Sequence, residues 1–408
     1  MSISIDEWQE KILANLIDLE YGAGLLESER TGEGFPVYGS SGIVGKHRNY
    51  LVEAPGIVVG RKGSIGSVFW TNEAFYPIDT TYYVQQKTED DLRWIYWYLT
   101  YLPLHKLDTS TGVPGLNRND AYKVKIFVPP PPEQQKIAQI LDTIDQLIAV
   151  TDTHITKLKK TKAGLLHDLL TRGIDEHGEL RDPTRHPEQF QDSPLGRIPK
   201  DWEFGKLCNF YAVPARNGLY KPAEYYGQGN LMIHMPQMFR GLEIDASDAA
   251  RVEVSSDELE RFSLCQGDLV FARRSLNLEG AGRCSLVPQL NEATTFESSI
   301  IRVRLSKDEL VPTFANYFLN SEIGERLRLP LIRQVAVSGV SSEDIASLPI
   351  PKPSVEEQNR IISQIETYEK LIQTKELQQE KLKLLKKGLM TDLLTGKVRV
   401  KTDPTQEN

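Results

Sequence analysis

The chain lacks the long apolar runs that a membrane protein needs. No stretch approaches the roughly 18 consecutive apolar residues of a transmembrane helix, and Gly56-Ile57-Val58-Val59-Gly60 is typical of the short runs present. The first residues, MSISIDEWQE, contain neither a basic region nor an apolar segment, so a secretory signal is not expected. We therefore expect a cytoplasmic protein that does not contact a membrane.

Cysteine is also scarce, which excludes two common ways of stabilising a small domain. The three cysteines, Cys208, Cys265 and Cys284, are odd in number and match no zinc-ligand spacing. No CxxC or HExxH motif occurs either. We therefore expect neither a disulfide framework nor a metal site, and a reducing compartment suits free thiols.

Motifs that bind nucleotides or carry out catalysis are missing as well. There is no GxxxxGK[ST] loop, and Gly280-Ala281-Gly282 lacks the third glycine of a dinucleotide-binding turn. Acidic residues are numerous but scattered, so no carboxylate pair stands out as a catalytic acid and base. We predict no catalytic residue and no cofactor bound by this chain; a nuclease with dispersed acids is the enzymatic alternative.

The chain does have the length and apolar content for several domains. Its 408 residues, of which 40% are hydrophobic and 25% charged, predict two or three globular domains. The formal net charge of −8 weighs only slightly against a nucleic-acid partner. Phosphate binding needs a local positive surface, whereas net charge averages over all faces of the molecule.

An internal repeat is the strongest feature of the sequence. Residues 133–171 match residues 357–395 without a gap, at a constant offset of 224 positions (357 minus 133). Glu133-Gln134 corresponds to Glu357-Gln358, and Asp168-Leu169-Leu170-Thr171 corresponds to Asp392-Leu393-Leu394-Thr395. Such a repeat indicates that one structural element occurs twice in the chain.

Each copy of the repeat predicts one long amphipathic helix, over residues 133–173 and 354–395. Prolines precede both copies, and proline can lead into a helix but cannot continue one. Apolar residues at heptad-like spacing predict a packing seam made of Ile137, Ile144, Leu158, Leu165, Ile361, Tyr368, Leu382 and Leu389. A helix of about 40 residues spans about 60 Å, which favours a spacer between domains over a bundle helix inside one domain.

Both predicted helices are polar at mid-length, at Thr151 and His154 in the first and at Lys375 and Gln378 in the second. If the helices pack antiparallel, these midpoints meet, and polar residues in a seam can fix its register. The alternative is that these side chains face solvent. We predict the antiparallel arrangement, and hence a coiled coil with pseudo-two-fold symmetry.

A globular segment precedes each helix, at residues 1–132 and 200–353. Each contains an apolar strand that ends on an arginine, at Arg61 and at Arg273, and an aromatic helix that should pack in the core. The segments otherwise share little sequence. Residues 174–199 are polar and contain proline, which predicts a surface connector, and residues 396–408 form a C-terminal tail. The fold class is therefore α+β, with two α/β domains separated by the long helices.

Basic and amide side chains cluster in the predicted loops of both segments. Arginine, lysine, asparagine and glutamine pair with guanine and adenine edges, and lysine and serine commonly contact phosphates. Taken singly, each of these residues could be ordinary solvated surface, but as a set they favour DNA binding. The candidates are Lys46, His47, Arg48, Asn49, Arg61, Lys62, Ser64, Thr111, Asn117, Arg118, Arg216, Asn217, Lys221, Arg273, Arg274, Asn277, Gln334 and Ser338.

These motifs together resemble a known family. A proline-rich entry, Glu-Gln, a long helix and a closing Asp-Leu-Leu-Thr occur twice. Tyr38-Gly39-Ser40-Ser41-Gly42 and Gly60-Arg61-Lys62-Gly63-Ser64-Ile65-Gly66 add two glycine-rich loop motifs. The chain thereby resembles, over essentially its whole length, the specificity subunit of type I restriction–modification systems. The second segment departs from the glycine-rich form, with Ala272-Arg273-Arg274-Ser275 in its place.

The resemblance implies a non-catalytic subunit in which residues 1–132 and 200–353 are target-recognition domains. Each domain would bind one half of a bipartite site on double-stranded DNA, which also explains why the two domains diverge. The helices would set the half-site spacing and bind two methyltransferase subunits, which carry S-adenosylmethionine. Restriction/translocase subunits, which use ATP and Mg, would join for cleavage. The alternative is a helical scaffold that binds proteins without contacting DNA.

Overall fold

A computed structural model of the chain describes residues 8–30, 32–107, 115–275, 278–333 and 338–401. Of the predicted site residues, Thr111, Asn277 and Gln334 lie outside the described residues. The chain forms two compact units: unit 1 comprises Met1–His154 with Lys375–Asn408, and unit 2 comprises Ile155–Thr374. Unit 1 therefore combines two separate stretches of sequence, and both predicted helices are shared between the units.

Unit 1 is a mixed α/β domain. Its strands are β1 (Gln9–Ile12), β2 (Ile17–Tyr21), β3 (Phe35–Gly39), β4 (Gly42–His47), β5 (Gly56–Gly60), β6 (Val68–Thr71), β7 (Tyr76–Pro77), β8 (Thr81–Gln86) and β9 (Lys125–Val128). Its helices are α1 (Leu92–Tyr101), α2 (Arg118–Tyr122) and the first part of the long helix α3 (Pro131–Thr171). An antiparallel sheet has the order β2-β8-β5-β6, a second sheet has the order β4-β3-β7 with β3 and β7 parallel, and β1 pairs with β9.

Unit 2 contains more strands and short helices. The strands are β10 (Phe190–Ser193), β11 (Gly196–Pro199), β12 (Glu203–Lys206), β13 (Tyr211–Asn217), β14 (Tyr226–Ile233), β15 (Ala250–Val252), β16 (Leu269–Ala272), β17 (Arg274–Ser275), β18 (Cys284–Leu286), β19 (Thr294–Phe296), β20 (Ile300–Leu305), β21 (Ser338–Gly339) and β22 (Pro349–Lys352). The helices are α4 (Met235–Met238), α5 (Ser256–Phe262), α6 (Pro312–Leu319), α7 (Glu322–Arg328), α8 (Ser342–Ala346) and the first part of the long helix α9 (Val355–Leu394).

The three sheets of unit 1 recur with the same strand order in unit 2, although the two sequences share little. In unit 2 the order β13-β20-β16-β18 matches β2-β8-β5-β6, and the order β15-β14-β19 matches β4-β3-β7. The parallel pair β14 and β19 corresponds to β3 and β7, and β12 with β22 corresponds to β1 with β9. The internal repeat therefore includes the globular segments as well as the long helices.

The core of each unit forms where the sequence predicted apolar strands and aromatic helices. Strands β5 and β16 are buried along their whole length, because alternate side chains of each strand pack into two different core clusters, as Val59 and Val58 do in β5 and Phe271 and Val270 do in β16. Helix α1 buries Trp94 and Trp97, and α6 buries Phe314 and Phe318, all with 0% exposure. These four helix residues therefore build the cores, as expected, and are not available to stack on bases.

The observed bounds of the long helices differ slightly from the predicted ones. Helix α3 starts at Pro131, two residues before the predicted start, and ends at Thr171 rather than 173. A first-turn proline costs no hydrogen bond, because the first amides of a helix have no partner within it. Helix α9 covers Val355–Leu394, one residue shorter at each end than predicted.

The long helices pack antiparallel within each unit. In unit 1, Asp145 contacts Lys386 and Asp152 contacts Gln379. A later residue of α3 thus contacts an earlier residue of α9, which is the pattern of antiparallel helices. In unit 2, the Lys162 ammonium lies 2.6 Å from the Glu369 carboxylate. All eight predicted seam residues are at least partly buried: Ile137, Ile144 and Ile361 fully, and Leu158, Leu165, Tyr368, Leu382 and Leu389 partly. This burial is compatible with the predicted seam, although Ile137 and Ile361 also belong to the globular cores of the two units.

The four predicted midpoint side chains do not hydrogen-bond to one another across the two helices. Thr151 is buried but donates its hydroxyl to the Leu147 carbonyl on its own helix, at 2.7 Å. His154 and Gln378 are exposed, and Lys375 donates to Gln378 one turn along α9. These side chains satisfy their polar groups locally or in water, and the cross-helix contact at mid-length is made instead by their neighbours Asp152 and Gln379, at 2.9 Å.

The stretch 174–199 is more than the surface connector that its composition predicted. Ile174, Phe190 and Ile198 are buried in the core of unit 2, and β10 pairs with β11 as a hairpin. The few apolar residues of this polar stretch all point inward. The segment is therefore a structural part of unit 2.

A buried glutamate near the start of each long helix joins distant parts of each unit. In unit 1 the Glu133 carboxylate accepts hydrogen bonds from the Trp8 indole at 3.1 Å, from Arg399 at 2.8 and 2.9 Å, and from the Val400 amide at 3.0 Å. Burial opposes ionisation of this carboxyl, but these donors outweigh it and lower the pKa of Glu133. The carboxylate is thus held charged between β1, α3 and the segment after α9.

Unit 2 repeats this arrangement around Glu357. The carboxylate accepts from the Trp202 indole at 3.1 Å, from the Ile174 amide at 2.9 Å and from the Arg181 guanidinium. Gly173, which follows α3 with a φ of 64°, lies against it, and a Cβ there would be 2.2 Å from the Glu357 carboxylate. Glycine is required at this position both for the backbone conformation and for the space.

The glutamine that follows each glutamate joins the long helix to a short one. Gln134 accepts from the amide of Asp91, the N-cap of α1, at 2.7 Å and donates to the Pro129 carbonyl at 2.8 Å. Gln358 accepts from the amide of Val311, the N-cap of α6, at 2.7 Å. Both glutamines are fully buried. The repeated Glu-Gln pair is therefore explained by structure and needs no catalytic role.

Although α3 and α9 are long, neither they nor any other helix in the described part of the chain combines the length and apolarity needed to cross a membrane.

The antiparallel packing predicts a specific crosslink in unit 1. Cysteines introduced at Asp145 and Lys386, whose side chains touch, should be joined by a short thiol-specific crosslinker, which bridges the space left when the long lysine side chain is removed. The pair Asp145→Cys with Gln379→Cys is the control, since seven residues along a helix displace the partner by about 10 Å. The exposed Cys208 and Cys265 are first replaced by serine. Crosslinking of the control pair and not of the first would contradict the observed register.

The Glu133 cluster predicts a local loss of stability in one unit. Glu133→Gln removes the carboxylate charge that pairs with the Arg399 guanidinium, which is 14% exposed, and breaking a buried pair costs about 3–5 kcal/mol. Hydrogen exchange measured by mass spectrometry should show faster exchange of unit 1 peptides and unchanged unit 2 peptides. The exposed Glu53→Gln is the control.

The same variant tests the pH dependence. Because the folded pKa of Glu133 lies below the ordinary value of 4.5, its contribution is present above that pH and is lost as the pH falls through the folded pKa. Wild-type unit 1 should therefore lose protection below pH 4.5, and Glu133→Gln should lose less. An identical acid response in both proteins would show that Glu133 does not carry this dependence.

Candidate nucleic-acid interface

In unit 1 the predicted basic loop follows the central strand β5. The Arg61 guanidinium donates to the Asp79 carbonyl at 2.6 and 3.0 Å, and it lies over the exposed ring of Tyr21 at 5.1 Å. Its backbone amide donates to the Thr80 carbonyl at 2.9 Å. Arg61 therefore fixes the loop to the segment before β8, and its side chain is already occupied.

Residues 115–118 lie beside this loop. Lys62 and Gly115 form a β-bridge, and the Leu116 amide donates to the Arg61 carbonyl at 2.8 Å. The Tyr82 hydroxyl donates to the Leu116 carbonyl at 3.1 Å; burial, with the neighbouring Tyr21, raises the pKa of Tyr82 to about 12, so the hydroxyl keeps its proton at neutral pH. Two segments that the sequence placed separately thus form one surface.

The glycines of the 60–66 motif make a tightly wound loop possible. Gly63 and Gly66 have φ values of 78° and 69°, which favour glycine, and a Cβ on Gly66 would lie 2.6 Å from the Leu104 side chain. The Ser67 hydroxyl at the end of the loop donates to the Ser40 carbonyl in the β3–β4 turn. The two glycine-rich motifs of the sequence are therefore in contact.

The other basic candidates of unit 1 separate into two groups. Asn117 caps α2, and the Arg118 guanidinium lies over Tyr21 at 4.8 Å while donating to the Leu19 carbonyl at 3.1 Å. Lys46, His47, Arg48 and Asn49 lie at the end of the β3–β4 hairpin opposite its Ser40-Ser41 turn. The structure therefore brings Arg118 to the loop but does not bring residues 46–49 there.

Unit 2 builds the corresponding surface after β16. The Arg273 guanidinium donates to the Ser298 carbonyl at 3.4 Å, and the Arg273 carbonyl accepts the Val340 amide at 3.0 Å. Arg274 pairs with Gly339 in the two-stranded sheet β17–β21, in which Ser338 is buried. The backbone frame therefore matches unit 1, with Arg273 in the place of Arg61 and Arg274 in the place of Lys62.

The remaining predicted DNA-binding residues of unit 2 differ in how strongly their side chains bind other residues of the domain. Lys221 is paired with Glu258 at 2.8 Å and its side chain is 11% exposed, so it serves the domain structure. The Arg216 guanidinium lies over the Phe262 ring at 5.5 Å. Asn217 is exposed and accepts from Ser342 at the start of α8, at 3.3 Å. Asn217 corresponds to Tyr21, because each pairs with the second residue of the neighbouring strand.

The side chains left free are the residues that follow the two arginines. Lys62 and Arg274 are exposed, and neither has a side-chain hydrogen bond or ion pair within the described ranges. Ser64 is also exposed. Tyr21, which is 49% exposed beneath two guanidinium groups, was not predicted from sequence. No motif marks it, since its importance comes from arginines 40 and 97 positions later (61 minus 21 and 118 minus 21).

A metal centre finds no support in this part of the chain. Among the described residues no group of three or more histidine, cysteine, aspartate or glutamate side chains could hold a metal ion. What the two units share instead is a loop surface on a common backbone frame, with a free cationic side chain at the same position. These features define a chain with two recognition domains built on paired helices.

The family follows from comparison with known proteins. Residues 5–160 and 199–384 match the model of the type I restriction modification DNA specificity domain, and the chain belongs to this family. It is 27% identical over 347 residues to the MjaVIII specificity subunit of Methanocaldococcus jannaschii, covering 85% of this chain and 76% of that protein. It is 28% identical over 278 residues to the EcoKI specificity subunit of Escherichia coli, covering 66% and 57%.

A solved structure has the same fold. The S subunit of a type I restriction–modification system from M. genitalium superposes with a TM-score of 0.58 at 16% identity, covering 95% of this chain and 96% of that one. The fold class predicted from the sequence is thereby confirmed.

Proposed function

We propose that this chain is the DNA-specificity subunit of a type I restriction–modification system, and that each unit binds one half of a bipartite site. The observation that carries the proposal is the repeated loop surface. Arg61 and Arg273 hold the same backbone frame through carbonyl contacts, whereas the exposed positions differ between the units. A common frame with different exposed residues suits two domains that read different base sequences.

The exposed side chains of this surface suit base contacts better than Arg61 and Arg273 do. In unit 1 the exposed positions are Lys62 and Tyr21, and in unit 2 they are Arg274 and Asn217. Arginine and lysine bind guanine in the major groove, and asparagine binds adenine, with discrimination of about 1–3 kcal/mol for a good pair. Arg61 and Arg273 are positioning residues in this proposal, since their guanidinium groups bind main-chain carbonyls.

The long helices provide the spacing and the protein-binding surface. Their antiparallel pairing is set by contacts such as Asp145 with Lys386 and Lys162 with Glu369. In unit 1 the helices also expose apolar side chains, at Leu147, Val150, Leu377, Leu384 and Leu385. Such a surface suits methyltransferase subunits, which would supply S-adenosylmethionine, while restriction subunits would supply ATP and Mg chemistry. In this proposal the chain itself is not an enzyme.

Readout by each unit predicts that single substitutions affect single half-sites. The recognised sequence is first obtained by mapping methylated adenines in host DNA by single-molecule sequencing. In the complex with methyltransferase subunits, Lys62→Ala should lose about 1–3 kcal/mol of discrimination at one half-site only, and Arg274→Ala at the other only. Fluorescence anisotropy with duplexes altered in one half-site at a time measures this.

The control is Lys125→Ala, which removes an exposed lysine from β9 together with a surface ion pair to Glu10 and should leave DNA binding unchanged. If Lys62→Ala and Arg274→Ala weaken all sequences equally and make binding less dependent on salt, the two residues contact phosphates and do not read bases.

The spacing role predicts that longer helices lengthen the recognised gap. Inserting one heptad into α3 after Thr153 and one into α9 before Lys375 keeps the antiparallel seam in register and adds about 10 Å of helix. At 3.4 Å per base pair, the tolerated gap should grow by about three base pairs, with both half-site sequences unchanged. Methylation of a duplex library with varied gaps measures this.

A heptad inserted into α3 alone is the matched control, because it shifts the seam on one helix only. Circular dichroism establishes that the paired insertion keeps its helix content. An unchanged gap in a folded paired-insertion protein would show that the helices do not set the half-site spacing.

A further inference from the structure

An arginine lies in an aromatic site on the surface of unit 1. The Arg93 guanidinium donates to the Asp142 carboxylate at 2.7 Å, and it lies 4.5 Å from the centre of the Trp70 ring and 4.6 Å from that of Tyr96. The Trp97 indole donates to the same carboxylate at 2.8 Å. Helices α1 and α3 and strand β6 thus supply an anion and aromatic faces to one guanidinium.

Unit 2 has the same positions with smaller side chains. The repeat offset places Glu366 where unit 1 has Asp142, and Glu369 where it has Asp145. Helix α6 corresponds to α1, so Thr313, Asn316 and Tyr317 stand in the places of Arg93, Tyr96 and Trp97. Leu286 corresponds to Trp70, because Leu286 pairs with Leu269 at the start of β16, and Trp70 pairs with Ile57 at the equivalent position of β5.

These replacements leave an open pocket in unit 2. The lining of a pocket of about 520 Å³ includes all six of these counterparts, Leu286, Thr313, Asn316, Tyr317, Glu366 and Glu369. The arginine has been lost, but the carboxylate that binds it in unit 1 has been kept as Glu366. Thr313 therefore stands at the position of Arg93, beside a carboxylate that has no guanidinium bound to it.

The pocket carries more negative than positive charge. Glu369 is neutralised by Lys162, and the Arg240 guanidinium in the pocket wall is held by Asp245 and Asp248. Glu243 and Glu366 have no ion pair or hydrogen bond within the described ranges. Burial, together with the nearby carboxylates of Glu369, Glu366 and Glu243, raises the pKa of Tyr317.

We propose that this pocket binds an arginine side chain from a protein partner. Glu366 and Glu243 supply the anionic charge, and Tyr317 supplies an aromatic ring, as Asp142 and the aromatic residues do for Arg93. A planar guanidinium matches a carboxylate and an aromatic face better than a compact ammonium does. The inference rests on the proposed function in one respect, since the partner is then a methyltransferase subunit.

The first test uses a probe that does not depend on the partner. Saturation-transfer NMR with N-acetylarginine amide should give a signal with the full chain, whereas the uncharged analogue N-acetylcitrulline amide should give none. Thr313→Arg fills the pocket with its own guanidinium, and Glu366→Gln removes the carboxylate charge. Each variant should reduce the arginine signal at least threefold.

Two control variants make the same charge changes away from the pocket. Thr367→Arg and Glu356→Gln alter exposed positions of α9, the helix that carries Glu366, and should keep the wild-type signal. Equal signals from wild type, Thr313→Arg and Glu366→Gln, or equal signals from the arginine and citrulline probes, would overturn the proposal.

The second test measures assembly with the methyltransferase subunits by isothermal titration. Thr313→Arg and Glu366→Gln should weaken the complex at least tenfold, while Thr367→Arg and Glu356→Gln bind as wild type does. Unchanged affinity of both pocket variants would overturn the assignment of the arginine to this partner. Absence of any complex with wild type would instead refute the proposed function, and the probe experiment would still decide whether the pocket binds guanidinium.

Discussion

A single carboxylate near the start of each long helix holds its unit together. Glu133 accepts from Trp8, from Arg399 and from a main-chain amide, and Glu357 accepts from Trp202, from Arg181 and from a main-chain amide. In each case the tryptophan immediately precedes a strand, β1 or β12, and the arginine follows the C-terminal end of the other long helix. The antiparallel helices, the cores that they close and the loops carried by those cores all depend on this contact.

Much of this architecture follows from local sequence signals. Heptad spacing predicted the seam residues Ile137, Ile144 and Ile361, which are fully buried. The apolar runs before Arg61 and Arg273 predicted the central strands, and those runs are apolar because both sides of each strand are covered. The identical topology of the two globular parts was not predicted, because a sheet preserves its strand order under wide substitution as long as buried positions stay apolar.

The sequence could not show which polar side chains are available. Arg61 and Lys62 are adjacent and both basic, yet Arg61 is bound to the Asp79 carbonyl and Lys62 is free. Lys221 is likewise committed to Glu258. These commitments depend on contacts between residues distant in sequence, which composition and spacing do not encode. Comparison of the two units supplies part of this information. A position whose side chain makes internal contacts in one unit but not in the other shows which residues serve the structure and which are available for binding.

The division of the chain has a consequence for synthesis on the ribosome. Unit 2 is one continuous stretch, Ile155–Thr374, and all its parts are present once that stretch has emerged. Arg399, which completes the Glu133 cluster, is made 266 residues after Glu133, a delay of about 13–50 s at typical translation rates. Unit 2 can therefore complete its contacts before unit 1 does, although unit 1 contains the N-terminal residues. During this interval Glu133 and the apolar residues that later contact Leu393 and Leu394 must stay soluble without their partners.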